Sequence, residues 1–541
     1  MSVAKSSLLM AGGTVLSRVL GFGRAVALAA MIGVTTNAAD AFGVANQLPN
    51  SVYAIIAGGV LNAVLVPQIV RARAHKDGGK GYIDRLLTLA ITVFTVVTVL
   101  ATVAAPFLVS VYTNGWSQQQ LALATAFAYW CLPQLFFYGL YSMLGEVLNA
   151  RSAFGPYMWA PVLNNIVAIA GMVAYVWIFG VDPTGSQSVQ DWSAGQVALL
   201  AGSATIGVAA QALILFLSWH RIGLHFTFNF KWRGFGLRPA MKAASWSLSM
   251  VLVTQIGGLV QTIVASRAVT LRDGGPAVAG IAAASIAWLI FMLPHSVATV
   301  SIATAYFTKI SAHAQAGKID DLKADLTGGL RTISMISVFS SVAIIVLAYP
   351  ASRVFVGEYD ATLALGNVVM AMMIGLVPFS FVYMMQRAYY ALEDTRTPFL
   401  FTCVQIALHI CASVTLAFFA PVQYLVLGLA LITSFTVLVQ AMLAYYGLTR
   451  RIGSLKQYGV SRATLTFALA GLAAAGAGWL TLQALGGIHP ASFVVDKVLT
   501  ALTSASVAGF VMVIAYFVLL KLLRVKEVDG IVSMVKGILR R

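Results

Sequence analysis

The sequence predicts an all-α polytopic membrane protein with about fourteen transmembrane helices. The chain has 541 residues, of which 60% are hydrophobic and only 9% are charged, and its mean hydropathy is +0.87. A soluble domain typically carries about 25% charged residues. Apolar stretches of about 20 residues recur along the chain, and each is long enough to cross a bilayer as a helix. The two-residue alternation of a membrane β-barrel is not seen in them.

The fourteen predicted spans can be tested by the distribution of basic residues. With both termini cytoplasmic, 28 of the 34 Lys and Arg lie on the inner side, 4 on the outer side and 2 inside span 1. A wrong number of spans would scramble this pattern, so the positive-inside rule supports fourteen helices in the plasma membrane and two cytoplasmic termini. The spans cover residues 7–33, 43–70, 85–112, 121–149, 157–180, 194–219, 240–268, 277–307, 328–349, 362–391, 398–419, 422–447, 463–485 and 496–523.

The net charge of +17 therefore reflects topology and the anionic lipids of the cytoplasmic leaflet. It predicts contact with membrane lipids and no nucleic-acid partner. Cys131, Cys403 and Cys411 lie in predicted spans without disulfide or metal spacing, so they are expected to pack as small apolar residues.

A weak internal repeat suggests how the spans are grouped. Residues 48–52 in span 2 read LPNSV, and residues 293–297 in span 8 read LPHSV. An offset of six spans predicts two lobes of the same orientation around a central cavity, as in transporters with parallel repeats. The expected boundaries are 1–233 for the first lobe, 234–451 for the second, and 452–541 for the last two spans with a cytoplasmic tail.

Prolines and glycines inside the spans are candidate hinges, because membrane helices tolerate such breaks when neighbours satisfy the freed backbone groups. Ordinary helix bending is the alternative at each position. The candidates are Pro49, Pro133, Pro161, Pro294, Pro378 and the pair Gly58 and Gly59.

Two arginines inside span 1 are the clearest functional signal. An arginine near the bilayer centre costs at least ~2.5–3.5 kcal/mol on insertion scales, so Arg18 and Arg24 are expected to face a cavity or a partner. They are separated by about 240° on an ideal helix. Gly21 and Gly23 could bend the helix enough for both to reach one cavity. Guanidinium groups bind phosphate oxygens in a bidentate manner, so an anionic ligand is predicted.

Two carboxylates have alternative interpretations. Asp40, before span 2, can pair with one of these arginines or cap a helix. Glu146, near the inner end of span 4, can form an interfacial pair with Arg151.

Catalysis is not expected. The histidines show no metal-ligand spacing, the acidic residues are scattered, and the phosphate-loop pattern GxxxxGK[ST] is not found. No cofactor and no metal site is therefore predicted, and the chain is not expected to be an enzyme.

Several motifs resemble those of the MurJ (MviN) lipid II flippases, in the variants of actinobacterial members. The opening segment carries Ser17 to Arg24, then ADAF at 39–42 and LPN at 48–50, including Asn50. The likeness continues with LNAR at 148–151, FGP at 154–156 and APVLNN at 160–165, including Asn164. It reappears in the loop at 394–398, so it covers about residues 5–450.

The resemblance implies a member of the multidrug/oligosaccharidyl-lipid/polysaccharide exporter superfamily. It implies transport of undecaprenyl-pyrophosphoryl muropeptide (lipid II) from the inner to the outer leaflet for peptidoglycan synthesis, by alternating access. It also implies that Arg18 and Arg24 face the central cavity and contact the pyrophosphate or other anionic parts of the substrate, and that Asp40 contributes. The implied partners are lipid II or a related polyprenyl-pyrophosphate glycolipid, and proteins of cell-wall synthesis or division.

The sequence departs from the family at four positions where basic residues are common. This chain has Gln47, Tyr53, Ala54 and Leu289 there, so Arg18 and Arg24 would carry most of the anion recognition. Two alternatives remain open: an exporter of another polyprenyl-linked glycan or of drugs, and a non-transporting membrane scaffold of the cell-wall machinery. A drug exporter would favour intramembrane carboxylates, and a scaffold has no need of buried arginines.

Overall fold

The fold was analysed in a computed structural model, which describes residues 3–56, 80–151, 153–221, 225–231, 237–268, 277–525 and 527–528. Gly58 and Gly59, a pair among the hinge candidates, lie outside these ranges. Across the described residues the chain is mostly α-helical and contains no β-strand. The predicted all-α class is therefore confirmed.

The chain folds into two compact units. The first is Met1–Gly274 with Gly280–Ala282, and the second is Gly275–Ala279 with Ala283–Arg541. The helices described in the first unit are α1 (Val3–Ile32), α2 (Asn37–Ile56), α3 (Lys80–Val103), α4 (Ala105–Tyr112), α5 (Gln118–Cys131), α6 (Gln134–Ala150), α7 (Phe154–Phe179), α8 (Ala194–Arg221) and α9 (Leu237–Ser266).

The remaining helices begin at α10 (Ile281–Pro294), which leads through a π-helical turn at His295–Thr299 into α11. They continue as α11 (Val300–Gln315), α12 (Ile319–Val346), α13 (Ala348–Arg353), α14 (Tyr359–Met373), α15 (Leu376–Ala391), α16 (Arg396–Phe419), α17 (Leu425–Ile452), α18 (Val460–Ala484) and α19 (Val498–Leu522).

Most of the predicted spans correspond to long apolar helices. Twelve helical segments in the described ranges are long and apolar enough to cross a membrane, and α14 with α15, bent by 41°, forms a thirteenth. The predicted span 43–70 begins in α2 and continues into residues 57–79, which lie outside the description. The chain is therefore a multi-pass membrane protein.

Small residues bring the helices of the first unit close together, as is common in membrane bundles. A Cβ atom added at Gly171 of α7 would lie 2.1 Å from the Cβ of Ser203 in α8, and one at Gly13 of α1 would lie 2.9 Å from the ring of Trp159 in α7. The glycines therefore allow α7 to pack tightly against both α1 and α8, and a larger residue at either position would collide with the neighbouring helix.

Helix α9 belongs to the first compact unit. Three hydrogen bonds account for its position. Gln255 Nε2 donates to the carbonyl of Ser51 at 2.9 Å, Gln47 Nε2 donates to Thr262 Oγ1 at 3.4 Å, and Trp116 Nε1 donates to the carbonyl of Ser266 at 2.9 Å. These bonds attach α9 to α2 and to the loop after α4.

The second unit has its own apolar cores. One joins α11, α12, α15 and α17 around buried Met384 and Tyr389. Another joins α12, α18 and α19 around Phe467 and Tyr516, whose hydroxyl donates to the carbonyl of Met335 at 2.9 Å. The last two spans are thus packed into this unit through α12.

Candidate substrate site

Helix α1 places the two predicted arginines in a membrane-spanning segment, Gly12–Ile32. The helix is unbroken from Val3 to Ile32, so Gly21 and Gly23 do not interrupt it. The side chains of Arg18 and Arg24 are both partly buried. Since the helix is continuous, the two guanidinium groups leave it in different directions, as the spacing of six residues requires.

The surroundings of Arg24 are polar but contain no opposite charge. The guanidinium lies within electrostatic range of the Tyr138 hydroxyl on α6 and of the Cys131 thiol on α5. Across the part of the chain that the structure describes, neither Arg18 nor Arg24 forms an ion pair or a hydrogen bond. A cation in a membrane span without a carboxylate partner is suited to receive an anionic ligand.

Helix α6 carries a polar stripe beside Arg24. Its members lie four residues apart on one helix face, as i, i+4 neighbours do. The stripe consists of Gln134, Tyr138, Ser142 and Glu146. The four-residue spacing is visible in the sequence, so this stripe could have been found by following polar residues along span 4, whereas charge alone singles out only Glu146.

Hydrogen bonds fix the half of the stripe that contains Gln134 and Tyr138. The Tyr138 hydroxyl donates to Gln134 Oε1 at 3.1 Å. Gln134 Nε2 in turn donates to Thr205 Oγ1 at 3.1 Å and to Asn46 Oδ1 at 3.4 Å. Residues of α2, α6 and α8 therefore hold Tyr138 in place next to Arg24.

Two asparagines of α7 position α1 and α8. Asn165 Nδ2 donates to the backbone carbonyl of Ser17 at 2.9 Å, one residue before Arg18. Asn164 Nδ2 donates to Gln211 Oε1 of α8 at 2.9 Å. The carbonyl of Ser17 thus takes part in the contact between α7 and the arginine helix, whereas Asn164 links α7 to α8.

Asp40 has a different environment from the one expected of a ligand residue. Its side chain is 0% exposed, and Oδ1 accepts a hydrogen bond of 2.7 Å from the backbone N–H of Ala282. Ala282 belongs to the same unit. The carboxylate therefore has a structural partner, and neither Arg18 nor Arg24 is its ion-pair partner in the described residues.

The hinge candidates differ in their geometry. Pro49 and Pro161 lie inside the unbroken helices α2 and α7, and Asn50 next to Pro49 is exposed. At Pro294, by contrast, the α-helix ends and a π-helical turn follows. In that turn, the distance between His295 Nδ1 and Ser380 Oγ is 3.3 Å. The Thr299 hydroxyl donates a hydrogen bond to the same oxygen at 3.0 Å.

Gln47, Tyr53, Ala54 and Leu289, where the resemblance led us to expect basic residues, are uncharged positions whose surroundings the structure describes. Gln47 bonds Thr262, as described above, and the ring of Tyr53 lies 5.7 Å from that of Tyr138 and 6.3 Å from that of Phe94. Ala54 and Leu289 are partly buried. Of these residues, Tyr53 contacts the polar stripe through the ring of Tyr138.

The helix pattern and the intramembrane polar site define a polytopic membrane transporter of the exporter fold. Solved structures with this fold include "Lipid II flippase MurJ, inward closed conformation", with a TM-score of 0.72, 19% identity, and coverage of 95% of this chain and 99% of that chain. They also include an inward-facing multidrug resistance transporter of the MOP superfamily, with a TM-score of 0.58, 18% identity, and coverage of 82% and 99%.

The chain belongs to the lipid II flippase MurJ family, whose model matches residues 28–502. A relative from Rhizobium meliloti named probable lipid II flippase MurJ is 25% identical over 77% of this chain and 76% of its own length. A relative of the same name from Haemophilus influenzae is 26% identical over 81% and 84%. The resemblance found in the sequence is therefore confirmed.

Proposed function

We propose that this protein is a lipid II flippase, which moves undecaprenyl-pyrophosphoryl muropeptide from the inner to the outer leaflet for peptidoglycan synthesis. Membership of the MurJ family supports this function. The transported molecule crosses without a change in its covalent bonds, so the proposed activity is transport and not catalysis. The mechanism is alternating access, in which the site opens to each leaflet in turn.

The observation that carries the proposal is Arg24, a cation in a membrane span beside Tyr138 with no ion pair among the described residues. A pyrophosphate group would supply the missing negative charge and accept hydrogen bonds from the planar guanidinium. Arg18 lies about 9 Å further along the helix axis and leaves α1 in another direction, so it would contact a different part of the same large headgroup. We assign Asp40 to the support of this site, because its carboxylate already accepts the Ala282 N–H.

The orientation follows from the basic residues. With both termini in the cytoplasm, the loops rich in Lys and Arg face the inner leaflet of the plasma membrane. In this orientation span 1 runs outward, so Arg18 lies nearer the cytoplasm and Arg24 nearer the outer side. The two arginines would then contact the headgroup at successive depths. Cell-wall synthesis and division proteins are the proposed protein partners, since they supply and consume lipid II.

The test is growth and leaflet accessibility of lipid II in a bacterium depleted of its own flippase. The wild-type chain is expected to restore growth and to expose lipid II to an externally added probe. Arg18→Ala and Arg24→Ala are expected to fail at normal expression levels, whereas Arg450→Ala, which removes an exposed arginine at the end of α17, is expected to succeed. If the wild-type chain cannot restore growth, lipid II is not the substrate, and export of another polyprenyl-linked glycan or of drugs would be tested next. If both alanine variants restore growth, the arginines are not the site.

A further inference from the structure

Glu146 is a carboxylate in the membrane-spanning segment Gln118–Asn149 that the proposed function does not use. Its side chain is partly buried. In the described residues it forms no ion pair and no hydrogen bond, so the expected pair with Arg151 is not found. An acidic side chain within a membrane span that lacks a partner marks a binding site or a proton pathway.

Two tyrosines lie near this carboxylate. It lies within electrostatic range of the hydroxyl groups of Tyr53 on α2 and Tyr157 on α7. The ring of Tyr157 packs against the backbone of Gly145, the residue before Glu146. A Cβ atom added at Gly145 would lie only 2.2 Å from this ring. The same ring stacks on Tyr141 of α6 at 4.8 Å and 17°.

The charged groups of the neighbouring helices do not neutralise Glu146. On α3, Asp84 is paired with Lys80 at 3.2 Å and also accepts from the Thr227 hydroxyl at 2.6 Å. Other titratable groups on the helices packed against α6 are Asp40 on α2, Tyr82 and Arg85 on α3, Tyr175 on α7, and His220 and Arg221 on α8. None of them forms an ion pair with Glu146 in the described ranges.

Glu146 and Arg24 lie at opposite ends of the polar stripe on α6. Tyr138, next to Arg24, and Glu146 are eight residues apart, which is about 12 Å along a helix. Ser142 lies between them and is near the hydroxyl of Tyr53. One continuous polar face therefore connects a cation and a carboxylate that both lack an ion-pair partner among the described residues.

We propose that Glu146, flanked by Tyr53 and Tyr157, binds an ammonium group on the transported headgroup. This inference rests on the proposed function: Arg24 binds the pyrophosphate of lipid II and Glu146 binds the free amine of its stem peptide. A carboxylate forms charge-assisted hydrogen bonds with an ammonium group. The hydroxyl oxygens of the two tyrosines can accept further hydrogen bonds from the same ammonium group. The site thus selects a headgroup that carries both charges.

The test compares two substrates in vesicles that contain the purified full-length protein. One is lipid II with a free stem-peptide amine, and the other is lipid II whose amine has been acetylated, so that both keep the pyrophosphate. The readout is the initial rate at which each lipid appears in the opposite leaflet. Because a hydrogen bond to a charged group contributes about 1.5–3 kcal/mol, the wild-type protein is expected to prefer the free amine by about tenfold or more.

Variants assign this preference to Glu146. Glu146→Gln keeps the shape but removes the charge, so its rate with the free amine should fall to the rate with the acetylated lipid, which should not change. Glu358→Gln, which alters an exposed glutamate before α14, should keep the wild-type preference. Equal wild-type rates for the two lipids would overturn the proposal without any variant, and so would a preference that survives in Glu146→Gln.

Two further outcomes have separate meanings. If the wild type does not discriminate but its rate depends on pH and that of Glu146→Gln does not, the carboxylate binds a proton and the ammonium site is wrong. If the wild type moves neither lipid, the proposed flippase function itself fails. Wild-type transport of both lipids at equal rates would keep the function and reject only the ammonium site.

Discussion

The side-chain amide of Asn165 donates a hydrogen bond to the backbone carbonyl of Ser17, with an N–O distance of 2.9 Å. This bond links α7 to α1 one residue before Arg18. A mid-helix carbonyl already accepts from its own helix, so the extra donor fixes the position of α1 relative to α7. Gly21, one turn further, faces the same asparagine, since a Cβ atom there would lie 3.7 Å from Asn165 Nδ2.

Removal of this bond should impair transport more than folding. Asn165→Ala is expected to destabilise the protein by about 1 kcal/mol, the net contribution of one hydrogen bond. Transport should fall about tenfold or more, because a misplacement of about 1 Å can have large effects on a positioned group. The matched control is Asn367→Ala, which removes a hydrogen bond to Tyr349 in the second unit. Equal transport by the two variants would contradict a positioning role for Asn165.

The space around two glycines predicts opposite effects of the same substitution: Gly171 lies in the tight contact between α7 and α8, whereas Gly23 of α1 faces open space. Gly171→Ala should destabilise the protein by about 1–3 kcal/mol, because the new methyl group would collide with Ser203. Gly23→Ala should be neutral or stabilising by up to about 1 kcal/mol, since no atom lies within 4 Å of its Cβ position and alanine favours the helix. Thermal unfolding in detergent measures both. A stable Gly171→Ala variant would argue against the packing of α7 on α8 described above.

Substitutions of Asp40 distinguish a structural role from substrate binding. Asp40→Ala leaves the buried N–H of Ala282 without its acceptor and should lower stability by about 1–3 kcal/mol. Asp40→Asn keeps an acceptor oxygen, so it should recover most of the stability and of the transport. Unfolding temperature and lipid II transport should therefore change together across the two variants. An Asp40→Asn protein that is stable but does not transport would restore Asp40 to the substrate site.

The Asp182 carboxylate stabilises the loop between α7 and α8 in a pH-dependent manner. Burial of the Asp182 carboxylate raises its pKa, but hydrogen bonds from Gln187 N–H and from the N–H and hydroxyl of Ser186 outweigh this effect. The pKa of Asp182 therefore lies below its ordinary value of about 3.9. Because the folded state holds the ionised form, its stabilising contribution is complete at neutral pH and is lost as the pH falls through the folded pKa.

The corresponding measurement is the thermal stability of the wild type and of Asp182→Ala between pH 7 and pH 3. The wild type should unfold at a higher temperature at pH 7, and the difference should shrink below about pH 4. Asp191→Ala, in the same loop, is the control, because its carboxylate is not among the groups that hold Ser186 and Gln187. A difference that is independent of pH would show that ionisation of Asp182 does not support the loop.

Much of this fold could be predicted from composition because hydropathy and the positive-inside rule act on whole spans. The span at 362–391 is divided by a bend of 41° between Met373 and Leu376, which a hydropathy profile does not show. The assignment of α9 to the first unit depends on side-chain hydrogen bonds such as Gln255 to Ser51, which no hydropathy profile contains.

The candidate site was only partly visible in the sequence. Arg18 and Arg24 are recognisable because charge is rare in a membrane span. The partners of a side chain depend on tertiary contacts, so the bond from Ala282 to Asp40, 242 residues away, could not be inferred from local spacing. The stripe that leads to Glu146 does have a local signal, a four-residue polar period, but its meaning depends on Arg24 lying beside Tyr138.

The most direct test of the proposed transport site is the rate at which lipid II crosses vesicles that contain the wild-type protein, Arg24→Ala or Arg24→Lys. The wild type should make lipid II accessible in the opposite leaflet, and Arg24→Ala should reduce the rate about tenfold or more, since one charge-assisted hydrogen bond contributes about 1.5–3 kcal/mol. Arg24→Lys should recover part of the rate, because lysine keeps the charge but not the bidentate geometry. Wild-type rates in Arg24→Ala, with the protein folded, would contradict the assignment of the pyrophosphate to Arg24.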